Sequence, residues 1–462
     1  MLCFGQIETT LSKSFSVEKN TSLDLVGNIN TSYFLLLRGQ KMDQLVKFNR
    51  ELVMEDVYSF NQPENDHTIL NFVKVKDSIF SLAYRENDYL FGPLVFDSTF
   101  ENKTQHLFHF KEGIKKWRKN IRWKKTNDQE NMVFYIDNRD QNKDFLMYIA
   151  SWNRNSKKVI KDTLQTPLIN GDTRIKQVEV DNNGNIYVLV QVRNPDRSTR
   201  EPGRYSYAIV KRNILEGQTN IIQYVEDSLF LGPVYMKLNN HSGQLVLAGL
   251  YSKQSYLESH GTFITSYDVA SLKQLKHAKN NLSIYQRRKL GAENVSDNKK
   301  GIEDVVIKDM LLRSDGGVIL LTETQYSSVV NYSNASIQMM PYTTNEVVYY
   351  HYNDAHALSL NPDATVHWSK LGYKQQETDV SGNKFASYAS GVSDRGCYFM
   401  YNKNINKSFA LQLIHVDPFG DVEKKQIVND RLLISSFEQI GRNHWMGIVE
   451  DYGDYRLLKV KL

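Results

Sequence analysis

Along most of the chain, apolar and polar residues alternate with a period of two. The alternation is broken at intervals by Asp, Asn or Ser next to Gly. QVEVDNNGNIYVLVQV (177–192), MKLNNHSGQLVLAGLY (236–251), RSDGGVILLTETQY (313–326), ASGVSDRGCYFMYN (389–402) and SSFEQIGRNHWMGIVED (435–451) share one design. An alternating strand meets a turn, and a nearly continuous apolar strand follows. This predicts a β-hairpin whose tight turn needs positive φ. Gly184, Gly243, Gly316 and Gly396 can adopt that φ without the roughly 1–2 kcal/mol that a Cβ would cost. Weaker copies precede them at 24–39, 72–85 and 124–137. Pivots at Asn28, Asp77, Asp128, Gly184, Gly243, Gly316, Gly396 and Gly441 recur roughly every fifty residues, a spacing typical of propellers and other arrays.

A second, looser strand pair follows most pivots, as in YSYAIVKRNI and ALQLIHVDPFGDVEKK. Two hairpins per unit make a four-stranded antiparallel sheet, one blade of a β-propeller. IYVLV and VILLT are apolar on both faces, as strands packed between neighbouring blades must be. The expected fold is therefore all-β, a single propeller of eight four-stranded blades. Seven blades fit nearly as well, because the unit around Asp128 is short. The chain ends in YRLLKVKL with no fourth strand after it, and LSKSFSVEK near the start has no hairpin partner. The N-terminal strand is expected to complete the last blade and so close the ring. Almost no helix is expected. Residues 286–303 read as a polar loop, and 327–347 as an insertion forming a Tyr/Met flap.

Composition sharpens this picture. Among 462 residues, 27 Tyr and 21 Phe against 9 Pro favour strands. A net charge of +5 from 57 basic and 52 acidic residues is too slight to imply nucleic acid. The two cysteines, Cys3 and Cys397, supply neither a disulfide framework nor a thiolate zinc site. No apolar run reaches the roughly 18 residues of a transmembrane helix. MLCFGQ, residues 1–6, is similar to the cleavage end of a secretory signal in Bacteroidetes-type bacteria, so it reads as a signal-peptide remnant before a propeller domain at 7–462.

From about Asn65 onward the chain resembles an uncharacterised family of large exported β-propeller-like proteins of Bacteroidetes-type bacteria. The likeness rests on NFVKVKDSIFSLAYRE, GPVYMKLNNHSGQLVLAGLYS, KDMLLRSDGGVILLTETQY, and YYHYNDAHALSLNPDATVHWSKLGYKQQ followed by FASYASGVSDRGCYFMYN. Two departures are Ala364, where a glycine is usual, and a less basic 372–374 segment. The resemblance implies a periplasmic or outer-membrane-associated propeller. It brings no activity and no catalytic residues.

The candidate chemistry is sparse. Asp315 and Asp394 sit where Asx residues stabilise turns, and a calcium loop would need several carboxylates at short alternating spacing. Glu323 and Gln325 share one face at the far end of an apolar strand, where a buried carboxylate must be paired. In HYNDAH, His351 points away from Asp354 and His356, which leaves those two as an acid/base or metal-sharing pair. His106 and His109 lack any ligand context. KKWRKNIRWKK (115–125) reads as a basic outer-blade strand, with peripheral contact to anionic lipid as its functional alternative. The flap, carrying Tyr332, Met339, Met340 and Tyr342, suits an adaptable contact surface.

The candidate binding residues are thus Glu323, Gln325, Tyr332, Met339, Met340, Tyr342, Asp354 and His356. No catalytic residue, metal or cofactor is assigned. The reading is a monomeric, non-catalytic binding or scaffold propeller of the cell envelope, facing a protein partner or glycan. The alternatives are an envelope hydrolase or lyase acting on glycans or peptides, and an accessory subunit of a secretion or outer-membrane complex.

Overall fold

Eight antiparallel sheets succeed one another in the computed structural model, each a meander, the last of them completed by the N-terminal strand. The structure describes residues 7–39, 42–60, 67–85, 90–96, 121–139, 145–166, 173–224, 226, 228–290, 300–333, 344–379, 382–393, 395–403, 405, 410–428, 432–451 and 453–462. The sheets lie at 22–59, 67–96, 121–166, 173–224, 230–281, 305–378, 389–428 and 433–461, here blades 1 to 8. Most have four strands; blade 2 shows three among the described residues. The protein is an all-β, eight-bladed β-propeller.

Two compact units divide it. Glu18–Tyr256 with Gly261–Asn280 hold blades 1–5; the segments ending at Val17 and starting at Asn281, with Leu257–His260, hold blades 6–8. Within each unit the cores lie between successive sheets. The second strand of blade 4, Ile186–Arg193, shows why its sequence is continuously apolar. Ile186, Val188 and Val190 pack toward blade 3, while Tyr187 and Leu189 pack toward blade 5. Each such fully buried side chain contributes on the order of 1.5–3 kcal/mol.

The turns follow the predicted chemistry at Gly184, Gly243, Gly316 and Gly396, where φ is 82°, 63°, 85° and 139°. In the weaker copies Asn30, Lys76 and Gln129 take the left-handed conformation instead. Two pivots are displaced: Asn28 lies inside its strand, and Gly441 ends a strand paired with His444 without positive φ. Asp315 is turn chemistry, its Oδ1 accepting the Gly317 amide at 3.0 Å. Asp181 does the same for Asn183 and Asn185 at 3.0 and 2.8 Å. Asp394 lies outside the described residues, as do residues 1–6, His106 and His109.

The N-terminal strand does complete blade 8, but earlier than its alternation suggested. Glu8–Leu11 pairs with the last strand, from Glu8 opposite Lys461 to Leu11 opposite Leu458. Ser12 then interrupts the ladder: its amide donates to the Leu457 carbonyl and its Oγ accepts the Leu457 amide, both at 2.9 Å. Only Phe15–Ser16 resumes pairing.

Two further expectations are corrected. The basic segment supplies the first strand of blade 3, Ile121–Lys125, not an outer one. Lys124 donates to Glu179 on the first strand of blade 4 at 2.9 Å, and Lys125 to the Lys74 carbonyl on that of blade 2 at 3.3 Å. Its charge links neighbouring blades rather than guarding a rim. The polar 286–303 segment starts inside a short helix, Ile284–Lys289, with a Ser283/Gln286 capping box. The same segment ends in a two-residue strand, Ile302–Glu303, paired with Glu258–Ser259.

Candidate functional site

Blade 6 carries the densest polar chemistry. Its second and third strands, Val318–Ser333 and Thr344–Leu360, run far beyond an ordinary blade and stay paired to Ser333 opposite Thr344. The described part of the insertion is therefore a two-stranded ribbon. Tyr332 lies on its second strand; Met339, Met340 and Tyr342 fall outside the described residues.

Where the ribbon leaves the blade, the ladder is irregular on both sides of the third strand. Glu323 opposes Ala355 and Thr324 opposes Asn353, so Asp354 is an extra residue, with φ of 22°. On the fourth strand, Val366–Thr378, Ala355 pairs with Gly372 and Asn353 with Gln375. Such bulges re-aim side chains. Here they bring Lys374 onto Glu323. Nζ of Lys374 stands 2.6 Å from Oε1 of Glu323, and neither side chain reaches solvent. The ammonium also donates to the Tyr352 carbonyl at 2.7 Å and to Gln376 Oε1 at 2.9 Å. Oε2 of Glu323 accepts the Ser387 hydroxyl at 2.7 Å and the side-chain Nε2 of Gln325. Lys308 approaches the same oxygen to 4.0 Å.

Burial pushes the Lys374 ammonium below its ordinary value, opposed by the Glu323 carboxylate. Tyr388 is pushed well up, by burial first and then by Glu323. Its hydroxyl donates to the Thr322 carbonyl at 3.3 Å.

The pair serves a neighbouring segment. Ser387 has φ of 71°, a left-handed backbone that costs a non-glycine residue about 1–2 kcal/mol. Its hydroxyl is held by Glu323, and its amide donates to Gln376 Oε1 at 2.8 Å. Asn402 completes the frame. Nδ2 donates to the carbonyls of Phe385 and Ile434 at 2.9 and 2.8 Å, and Oδ1 accepts the Ile434 amide at 3.1 Å. Between these residues lies a cleft of about 240 Å³, walled by Phe385, Ser387, Tyr401, Asn402, Ser436 and Phe437. It lies between blades 7 and 8, and all its walls belong to the unit of blades 6–8. The cleft offers aromatic rings, hydroxyls and amide groups. Its one charged wall residue, Lys384, is paired with Glu450 at 2.6 Å.

Of the residues singled out from sequence, Glu323, Gln325 and Asp354 meet around Lys374, with Asp354 Oδ1 accepting the Lys374 amide at 3.2 Å. His356 stands apart from them. It is 1% exposed, neither ring nitrogen has a hydrogen-bond partner, and burial lowers its pKa to about 4. It forms no hydrogen-bonded pair with Asp354. His351 accepts or donates at Ser328 Oγ, 2.8 Å away, and stacks on Tyr326. Among the described residues no cluster of His, Cys, Asp and Glu could hold a metal. Lys374, Gln376, Ser387 and Asn402 escaped the sequence reading. The only trace of them was the KQQ run at 374–376, set in an otherwise alternating strand.

A second cluster, in the other unit, was also missed. Thr265 Oγ1 lies 2.8 Å from His277 Nδ1, and His277 Nε2 lies 3.4 Å from Glu226, which also binds Lys279 at 2.8 Å. A hydroxyl, imidazole and carboxylate in series suggest nucleophilic catalysis. Thr265, however, is 0% exposed, which closes the alcohol to any substrate. Burial lowers the His277 pKa against the pull of Glu226. The cluster ties together the outer strands of blades 4 and 5.

No protein-family model and no curated protein matches the chain. Among solved structures, dipeptidyl peptidase 4 of Porphyromonas gingivalis is similar with a TM-score of 0.48 and 8% identity, over 94% of this chain and 56% of that one. The Dos1 propeller gives 0.46 and 8%, over 97% and 95%. The propeller domain of the Trilobed protease from Pyrococcus furiosus gives 0.41 and 11%, over 89% and 98%. The likeness extends to the propeller fold alone.

Proposed function

We propose that the protein is a non-catalytic binding propeller and that the cleft between blades 7 and 8 receives a neutral, polar ligand, a glycan or a peptide of the cell envelope. The envelope setting rests on the sequence resemblance. One observation carries the binding reading. The strongest acid–base pair near the cleft, Glu323 with Lys374, is wholly buried and committed to holding Ser387. Catalysis by such groups requires them to reach the substrate's proton. What faces the cleft suits binding: Phe385 and Phe437 offer flat apolar surfaces, and Ser436 offers a polar edge.

Arrays of glycans and capped peptides, followed by calorimetry on the hits, test this reading. Ser436→Trp fills the cleft and should abolish binding while leaving the melting temperature within about 2 °C, the shift of a change of about 2 kcal/mol in a chain this large. Ligand binding that survives this substitution, or turnover of a bound glycan or peptide, would refute it.

A further inference from the structure

The ribbon of blade 6 leaves one strand edge open. The first strand, Val305–Leu312, covers its neighbour only as far as Thr324, opposite Val305. The Asp304 carbonyl then accepts the Gln325 amide at 2.8 Å. From Tyr326 to Ser333 the second strand pairs with residues 344–351 on one side. Among the described residues no strand lies on its other side. Because the Gln325 amide points to that side, the two-residue period places the amides and carbonyls of Ser327, Val329 and Asn331 there as well.

Sheet edges are ordinarily guarded by charge, proline or bulges. The closing strands of blades 1, 5 and 7 follow the rule: Met54–Ser59 carries Glu55 and Asp56, Gln274–Asn281 carries Lys276 and Lys279, and Val422–Val428 carries Glu423, Lys424 and Lys425, whereas the shorter Gln218–Tyr224 of blade 4 carries neither charge nor proline. The ribbon edge, YSSVVNYS, has neither charge nor proline. Its register runs unbroken from Thr324 opposite Asn353 to Ser333 opposite Thr344. Tyr326, Val329 and Val330 are 41%, 56% and 38% exposed.

We infer that the edge at 326–333 accepts an extended, uncharged peptide segment of another protein as an added strand. Main-chain hydrogen bonds supply the affinity. Alternating β-branched and aromatic side chains of the segment cover Val329 on one face of the ribbon and Tyr326 and Val330 on the other. A second copy of this chain pairing edge to edge is the competing occupant, which the oligomeric state distinguishes. This surface is separate from the cleft, so Ser436→Trp leaves it unchanged.

The test uses the full chain and a fluorescein-labelled, end-capped peptide of alternating threonine and valine with a central tyrosine, read by anisotropy. Saturable binding is expected, weakened at least tenfold by Val329→Pro. Proline removes an outward amide and leaves the bonds to residues 344–351 intact. Val329→Lys keeps the amide, adds a charge and should weaken binding severalfold; it carries the test if the proline variant fails to fold. Hydrogen exchange at Ser327, Val329 and Asn331 should slow when the peptide is added. The inference is overturned if the wild-type chain does not bind the peptide or if both variants bind it as the wild type does. It is equally overturned if sedimentation shows a wild-type dimer that Val329→Pro dissociates, since the edge then belongs to a second copy.

Discussion

Lys374 and Glu323 meet at 2.6 Å with no solvent contact on either side chain, and Glu323 also holds Ser387, on the segment that walls the cleft. Removing one partner strands a charge in the core. Lys374→Met should therefore cost about 3–5 kcal/mol in urea unfolding. Adding Glu323→Gln to that variant should recover part of the loss, because the uncompensated charge disappears. A single variant as stable as the wild type would show that the pair bears no structural weight.

Asn402 binds three main-chain groups at once, two of them on Ile434. Asn402→Ala takes the side-chain partner from one amide and two carbonyls. At least about 3 kcal/mol of stability should be lost, at roughly 1–3 kcal/mol for each group left unsatisfied. Ligand affinity at the cleft should fall with it. Asn402→Asp keeps the acceptor but sets a buried carboxylate against two carbonyl oxygens, and should be no more stable than the alanine variant in denaturant titrations.

His356 makes the fold acid-sensitive. Its folded pKa of about 4 lies below the ordinary 6.5, so between these values the unfolded chain binds a proton that the folded chain refuses. Its stabilising share is complete above 6.5 and is lost as pH falls through that window, by about 3 kcal/mol once below both. His356→Leu should flatten the decline between pH 6.5 and 4 and, by removing an orphaned ring N–H, raise stability at pH 7 by about 1 kcal/mol. Chemical denaturation of both proteins at pH 7 and pH 5 measures the difference.

The acidic turns should behave as turns. Asp315→Asn retains an acceptor for the Gly317 amide and should shift stability by no more than about 0.5 kcal/mol. Neither calcium nor a chelator should move the melting temperature. Asp181→Ala should cost far more. Asp181 also receives the hydroxyl of the fully buried Tyr187 at 3.0 Å.

Much of this architecture was legible in the sequence because it rests on period-two alternation and local turn chemistry. Ile186 to Val190 announce a strand packed on both faces, and Gly184, Gly243 and Gly316 announce the hairpins. Glu323 stood out as a carboxylate in an apolar strand that must find a partner. The partner itself was hidden. Lys374 reaches Glu323 only because a bulge at Asp354 shifts the register of the fourth strand, and Ser387 and Asn402 come from other parts of the chain. A local pattern cannot reveal a register shift of one residue. The early start of the N-terminal strand was missed for a similar reason, since Ser12 replaces a main-chain bond with its side chain.

Blade 8 pairs Thr9 with Val460 and Leu11 with Leu458. The other blades join strands that leave the ribosome in close succession. This one needs a partner made at the other end of synthesis. The loop that must close to form it is nearly the whole chain, and contacts at such separation come late and slowly. Residues 8–11 are therefore expected to pair after the other blades have assembled, so that their docking onto the last strand locks the fold.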